Sequence, residues 1–131
     1  MKHAEQLEGI ENCPPKKARQ VGNEAVWRWV QSPLHARDLD ARAVHDPDVR
    51  EDCKGWGLSV YRTREIAESE LRRVTAPPAW KRKRSQAVML ALRPGDGLLC
   101  GDPDGHMTLF ESASANLYGR AAEVQAVPMC L

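Results

Sequence analysis

The run from Gln86 to Arg93 constrains this chain most. Ala87-Val88-Met89-Leu90-Ala91-Leu92 is continuously apolar, with Lys81-Arg82-Lys83-Arg84 before it and Pro94-Gly95-Asp96-Gly97 after it. A short apolar run closed by turn residues predicts a strand buried on both faces. No apolar stretch approaches the roughly eighteen residues that a membrane span needs. A fold built around such a strand requires a sheet and something to cover it.

The rest of the chain supplies both. Glu24 to Gln31 alternates, with Ala25, Trp27 and Trp29 on one side and Val26, Arg28 and Val30 on the other, which predicts a second strand. The two tryptophans are expected to anchor a core. Gly57 to Tyr61 predicts a third strand, with Leu58 and Val60 on a shared face. Thr63 can cap a helix over 64–74 whose stripe is Ile66, Ala67, Leu71 and Val74, and this helix is the natural cover for a sheet. Leu98 to Cys100 and His106 to Phe110 flank Gly101-Asp102-Pro103-Asp104-Gly105, which predicts a hairpin. Ser32-Pro33 is expected to start a short helix over 34–44. Ser112 is expected to cap a helix through Ala122, and 123–127 to return as a last strand.

At 131 residues and 42% apolar, the chain has material for one core. The class expected is α+β: one small domain, a mostly antiparallel sheet of about five short strands, and two to four helices. Cys13-Pro14-Pro15 breaks any helix begun near Glu5, so residues 1–22 read as a loose N-terminal arm before a domain over 23–131. The charged start Met-Lys-His-Ala-Glu-Gln-Leu-Glu carries no export signal, so a cytoplasmic location is expected. Cysteines stand at 13, 53, 100 and 130, none in Cys-x-x-Cys spacing. The even count permits two disulfides, but in a reducing compartment all four are expected as free, structural thiols.

Net charge is only +1, yet 62–84 carries eight Lys/Arg against three Glu, and 96–131 carries five acids against Arg120 alone. Consecutive cations at 81–84 repel unless water, acids or phosphates surround them. Trp80, Lys81, Arg82, Lys83 and Arg84, with Arg72 and Arg73, therefore form the candidate partner-binding segment, for an acidic protein surface or a nucleic acid. Trp80 offers a stacking surface for an unpaired base. The plainer alternative is a solvated loop that protects the next strand's edge.

Other groupings point less clearly to chemistry. His35 and His45 lie among Asp38, Asp40, Asp46, Asp48 and Asp52 without a metal-ligand spacing. Asp102, Asp104 and Gly105 lack the length and closing Glu of a calcium loop. A hairpin can bring Cys100 and His106 close, a thiol with a local base, but Cys100 reads as an apolar strand residue. No metal and no cofactor is expected.

Arg28 on a first strand, Ser59 on a second and Glu111 on a late strand together resemble the Arg, Ser and Glu layout of small NAD-consuming ADP-ribosyltransferase-like domains. The resemblance implies that Arg28 grips a phosphate, Ser59 sits by the nicotinamide ribose and Glu111 steadies developing positive charge. Ser59 and Glu111 lack that family's Ser-x-Ser and Glu-x-Glu contexts, and Glu68-Ser69-Glu70 falls within a helix. The first expectation is thus a non-catalytic interaction or accessory protein of a bacterial-type cytoplasmic system. A toxin-type enzyme using Arg28, Ser59 and Glu111 is the alternative.

Overall fold

The computed structural model describes residues 1–129. Its first half runs α1 (Ala4–Glu8), β1 (Arg19–Gln20), β2 (Glu24–Val30), α2 (Arg42–His45) and β3 (Leu58–Val60). Its second half runs α3 (Arg64–Arg73), α4 (Pro78–Lys83), β4 (Gln86–Leu92), β5 (Gly97–Gly101), β6 (Met107–Glu111), α5 (Leu117–Ala122) and β7 (Val127–Pro128). One antiparallel sheet has the order β1-β5-β6-β3 and the other β2-β4-β7. The chain is therefore a small α+β fold. Among the described residues, no helix is long and apolar enough to cross a membrane.

The apolar run becomes β4, central in its sheet, with Val26 opposite Leu90 and Arg28 opposite Val88 on β2. Alternation places Val88, Leu90 and Leu92 in the main core with Val26 and Val30. Leu58 and Val60 of β3, Leu99 of β5, and Met107 and Leu109 of β6 bring the second sheet to that core, and α5 adds Leu117 and Ala121. The two sheets meet at one corner. There the Trp27 N–H donates to the Tyr61 carbonyl at 2.6 Å and the Tyr61 N–H to the Trp27 carbonyl at 2.8 Å.

The period of two divides the apolar residues between two faces. Trp27 and Trp29 leave β2 away from the main core, so the single cluster expected around them is in fact two. Tyr61, Ala67, Leu71, Ala87 and Met129 form the second, with Trp27, Trp29, Ile66, Val74 and Trp80 half-buried against it. Helix α3 roofs this cluster. The Thr63 hydroxyl accepts from the Ile66 N–H, and the Trp29 indole N–H donates to the Ala67 carbonyl at 2.8 Å, fixing strand to helix.

Residues 1–22 are not a loose arm. They carry α1 and pair β1 with β5, and Leu7 and Val21 are buried. Cys13 and Cys53 are joined in a disulfide with Cα atoms 5.5 Å apart across 40 residues of sequence. The expectation that these two thiols are free is therefore corrected. Tandem prolines forbid a helix but not a packed extended segment, and sequence spacing carries no information on a contact this distant. Leu7 packs with Ala43, Trp56 and Phe110 in a third cluster that also takes in both bridged cysteines. Cys100 is a free thiol, and Cys130 lies outside the described residues.

Other boundaries move as well. The helix expected over 34–44 is instead a 3-10 turn, Ala36–Leu39, followed by α2. The His35 ring accepts from the Arg37 N–H and Asp38 accepts from the His35 N–H, so the two side chains cap this short turn reciprocally. The helix expected from Ser112 begins at Leu117, capped by Asn116, which accepts from the Gly119 N–H. The strand expected over 123–127 shrinks to β7. At Gly101, φ is +121° and an added Cβ would lie 2.6 Å from the His106 carbonyl, so only glycine fits this end of the β5–β6 hairpin.

Candidate functional site

The basic segment is not a loop. Pro78 occupies the first turn of α4, where its missing N–H costs nothing, so the prolines that stop α3 also start the next helix. Lys81, Arg82 and Lys83 fall in the last turn of α4, where positive charge complements the helix dipole. Lys81 Nζ donates to the Arg72 carbonyl at 3.0 Å, drawing α4 against the end of α3. Arg84 donates to the Trp80 carbonyl at 3.2 Å, and its guanidinium carbon lies 4.0 Å from the Trp80 ring centroid. Burial lowers the Arg84 pKa, opposed by the charge of Asp38.

Two of the four consecutive cations thus have structural work. Arg82 and Lys83 are exposed, and among the described residues neither forms an ion pair or a side-chain hydrogen bond. Arg72 and Arg73 are exposed at the adjoining end of α3, with Arg73 donating to Glu70 at 2.9 Å. Trp80 is half-buried, its ring under Arg84 and edge-on to Trp29 at a centroid distance of 6.2 Å. Of the seven expected residues, Lys81 is bonded across to α3, while Trp80 and Arg84 stack on each other and are half-buried.

Arg28, Ser59 and Glu111 are brought together only in part. Arg28 shares the inward face of β2 with Val26 and Val30. Its Nε donates to the Asp38 carbonyl at 2.6 Å and its Nη1 to the Ser59 carbonyl at 2.8 Å. Burial lowers its pKa, with Asp38, Tyr61 and Glu111 acting the other way. Ser59 pairs with Thr108, and Glu111 lies three residues beyond Thr108, so the Ser59 and Glu111 side chains leave opposite faces of their sheet. Glu111 is buried and lies 3.6 Å from Lys2 Nζ, and burial raises its pKa. Arg28 Nε and Nη1 are thus engaged by main-chain carbonyls.

Ser59 has a different mate. Its hydroxyl shares a 2.8 Å hydrogen bond with His106 Nε2, and the Tyr61 ring stands edge-on to His106 at 6.0 Å. Burial holds His106 below the usual imidazole range, aided by the charges of Lys54 and Arg28 and opposed by Glu70. Burial also raises the Tyr61 pKa. No local sequence signal joins Ser59 to His106, because the β3–β6 register alone sets their contact across 47 residues.

The remaining candidates serve local structure. His45 Nε2 lies 2.8 Å from the Asp40 carboxylate, Asp46 pairs with Arg42, and Asp102 accepts from the Asp104 N–H in its turn. Among the described residues, no three His, Cys, Asp or Glu side chains are grouped to hold a metal. A groove of about 1020 Å³ opens between α1 and the 43–56 segment, lined in part by His3, Val44, Arg50 and Trp56, and none of the sequence-selected residues lines it. No family model matches the chain, and no curated protein or solved structure matches it either.

Proposed function

We propose that this protein is a non-catalytic interaction or accessory module of a bacterial-type cytoplasmic system, and that its α3–α4 surface docks on an acidic protein. The observation that carries this reading is the pair Arg82 and Lys83, exposed and without a carboxylate partner at the end of α4, beside Arg72 and Arg73 of α3. Desolvated only at contact, such charges steer association and select partners by complementarity. An acidic protein is favoured over a nucleic acid because Arg84 already stacks on the Trp80 ring and the whole chain carries only +1. The toxin-type enzyme has less support, since Arg28 Nε and Nη1 are bound to the Asp38 and Ser59 carbonyls and the Ser59 and Glu111 side chains leave opposite faces of their sheet.

The deciding experiment reverses Arg82 and Lys83 to Glu. Affinity capture from the native host should lose its partner, while DNA and RNA oligonucleotides bind neither form. Salt-sensitive oligonucleotide binding abolished by the reversal would establish the nucleic-acid reading instead. If the variant keeps every partner, the surface is only solvated. The cytoplasmic assignment has its own check, because disulfides are uncommon in reducing compartments. Fractionation of the native host should recover the protein from the cytoplasm, and recovery from the envelope or the medium, where a Cys13–Cys53 bridge forms readily, would overturn the assignment.

A further inference from the structure

We propose that the Cys13–Cys53 bridge is a redox latch on an N-terminal strap. Closed, it holds residues 3–18 against the 43–56 segment and so forms the groove between them. Opened by a dithiol, it lets the strap lift and dissolves that groove. His3, Ile10 and Glu11 stand on one wall, and Val44, Glu51 and Trp56 on the other. Cys13 follows the first wall by two residues and Cys53 lies within the second, so the bridge ties wall to wall covalently. The latch uses no residue of the α3–α4 surface, and the two proposals stand or fall separately.

Little else holds the strap. Among the described residues, no hydrogen bond and no ion pair joins 3–18 to the rest of the fold. Its other ties are Leu7, buried in the third cluster with Ala43, Trp56 and Phe110, and the His3 ring, whose centroid lies 5.1 Å from that of Trp56. Helix α1 is five residues long and lacks a side-chain cap, and a helix this short does not persist unsupported. His3 and Asn12 hold φ at +62° and +54°, left-handed conformations that cost a residue with a side chain. Release lets both relax. The Lys2 N–H on the Glu111 carbonyl and the β1–β5 pairing anchor the two ends, so the strap lifts as a loop.

The chemistry is thiol–disulfide exchange. A thiolate of the dithiol attacks one sulfur of the bridge and displaces the other as a thiolate, which takes up a proton. The reagent's second thiol then releases the protein from the mixed disulfide, so the dithiol leaves as a disulfide and Cys13 and Cys53 each end as thiols. Glutathione disulfide reverses the change and leaves as two glutathione thiols. Cys13 and Cys53 are half-buried and not sealed, so a small reagent reaches them. Cytosolic bridges are usually transient, and the proposal draws on the cytoplasmic reading only for the source of the dithiol.

Dithiothreitol is the reductant, followed on the full chain by amide exchange and indole chemical shifts. On reduction, exchange at Leu7 and Ile10 should accelerate about ten-fold or more beyond any change at Val88 and Leu90 of β4, and the Trp56 indole signal should move. Glutathione disulfide should restore the oxidised values. The double variant Cys13→Ser, Cys53→Ser should show the reduced pattern with or without dithiothreitol. Cys100→Ser should respond as wild type does, since its thiol takes no part. The proposal is overturned if reduction leaves Leu7, Ile10 and the Trp56 indole unchanged, if Val88 and Leu90 accelerate as much as Leu7, or if re-oxidation fails to restore the first state.

Discussion

Beside Tyr61 and bonded to Ser59, His106 occupies a site in which its neutral ring is preferred. The sign of the pH effect follows from that preference. An unfolded chain takes up the imidazole proton near pH 6.5, while the folded protein resists it until lower pH, so stability falls as pH drops through and below about 6.5. His3 is lowered too, chiefly by burial, and contributes with the same sign. Urea midpoints at about pH 7.5 and 5.5 should therefore separate, and His106→Gln should narrow the gap by the His106 share, with His3 adding to the gap and Glu111, its pKa raised by burial, opposing it. An unchanged gap would show that His106 is not held neutral. The sequence draws attention to both Ser59 and His106 but assigns each a different companion, because side-chain mates across strands depend on register.

At the scale of elements, local signals serve well where one helix or strand meets one surface. The Thr63 cap, the Ile66, Ala67, Leu71 and Val74 stripe and the alternation of β2 are all borne out as a capped helix over a half-buried strand. Leu71 and Leu90 are both fully buried, one in each of the first two clusters. Replacing either by Ala should cost about 2 to 5 kcal/mol, and Thr63→Ala about 1 kcal/mol. Wild-type-like urea midpoints for Leu71→Ala and Leu90→Ala would contradict their place in the cores. The two leucines belong to separate clusters, so their losses should add. The α4 helix was less legible because Pro77-Pro78 both ends and begins a helix, and sequence alone advertises only the ending.

Across the whole molecule, the N-terminal segment is held at both ends of its path. Lys2 donates its backbone N–H to the Glu111 carbonyl at 2.9 Å, and Cys13 is bridged to Cys53. Closing a loop of 40 residues stabilises by restricting the unfolded chain, so Cys13→Ser should cost about 2 to 4 kcal/mol. Amide exchange should accelerate most at Leu7 and Ile10, with the β4 amides remaining the slowest. Equal stability of the reduced and oxidised proteins would mean that the bridge adds nothing to the fold.

What the sequence by itself determined was local: the β4 strand, buried on one face though open at Ala91 on the other, the β5–β6 hairpin, the capped α3 helix and hence the α+β class. Each follows from periodicity, capping or turn chemistry within a dozen residues, where backbone geometry leaves few choices. Only the tertiary structure decided which faces meet, and so divided the apolar residues among three clusters. It also decided that Arg28 commits Nε and Nη1 to main-chain carbonyls, that Cys13 reaches Cys53, and that Lys17 and Arg62 line one cleft. These contacts depend on sheet order and register, which are set by simultaneous burial of many distant side chains and leave no trace in sequence spacing.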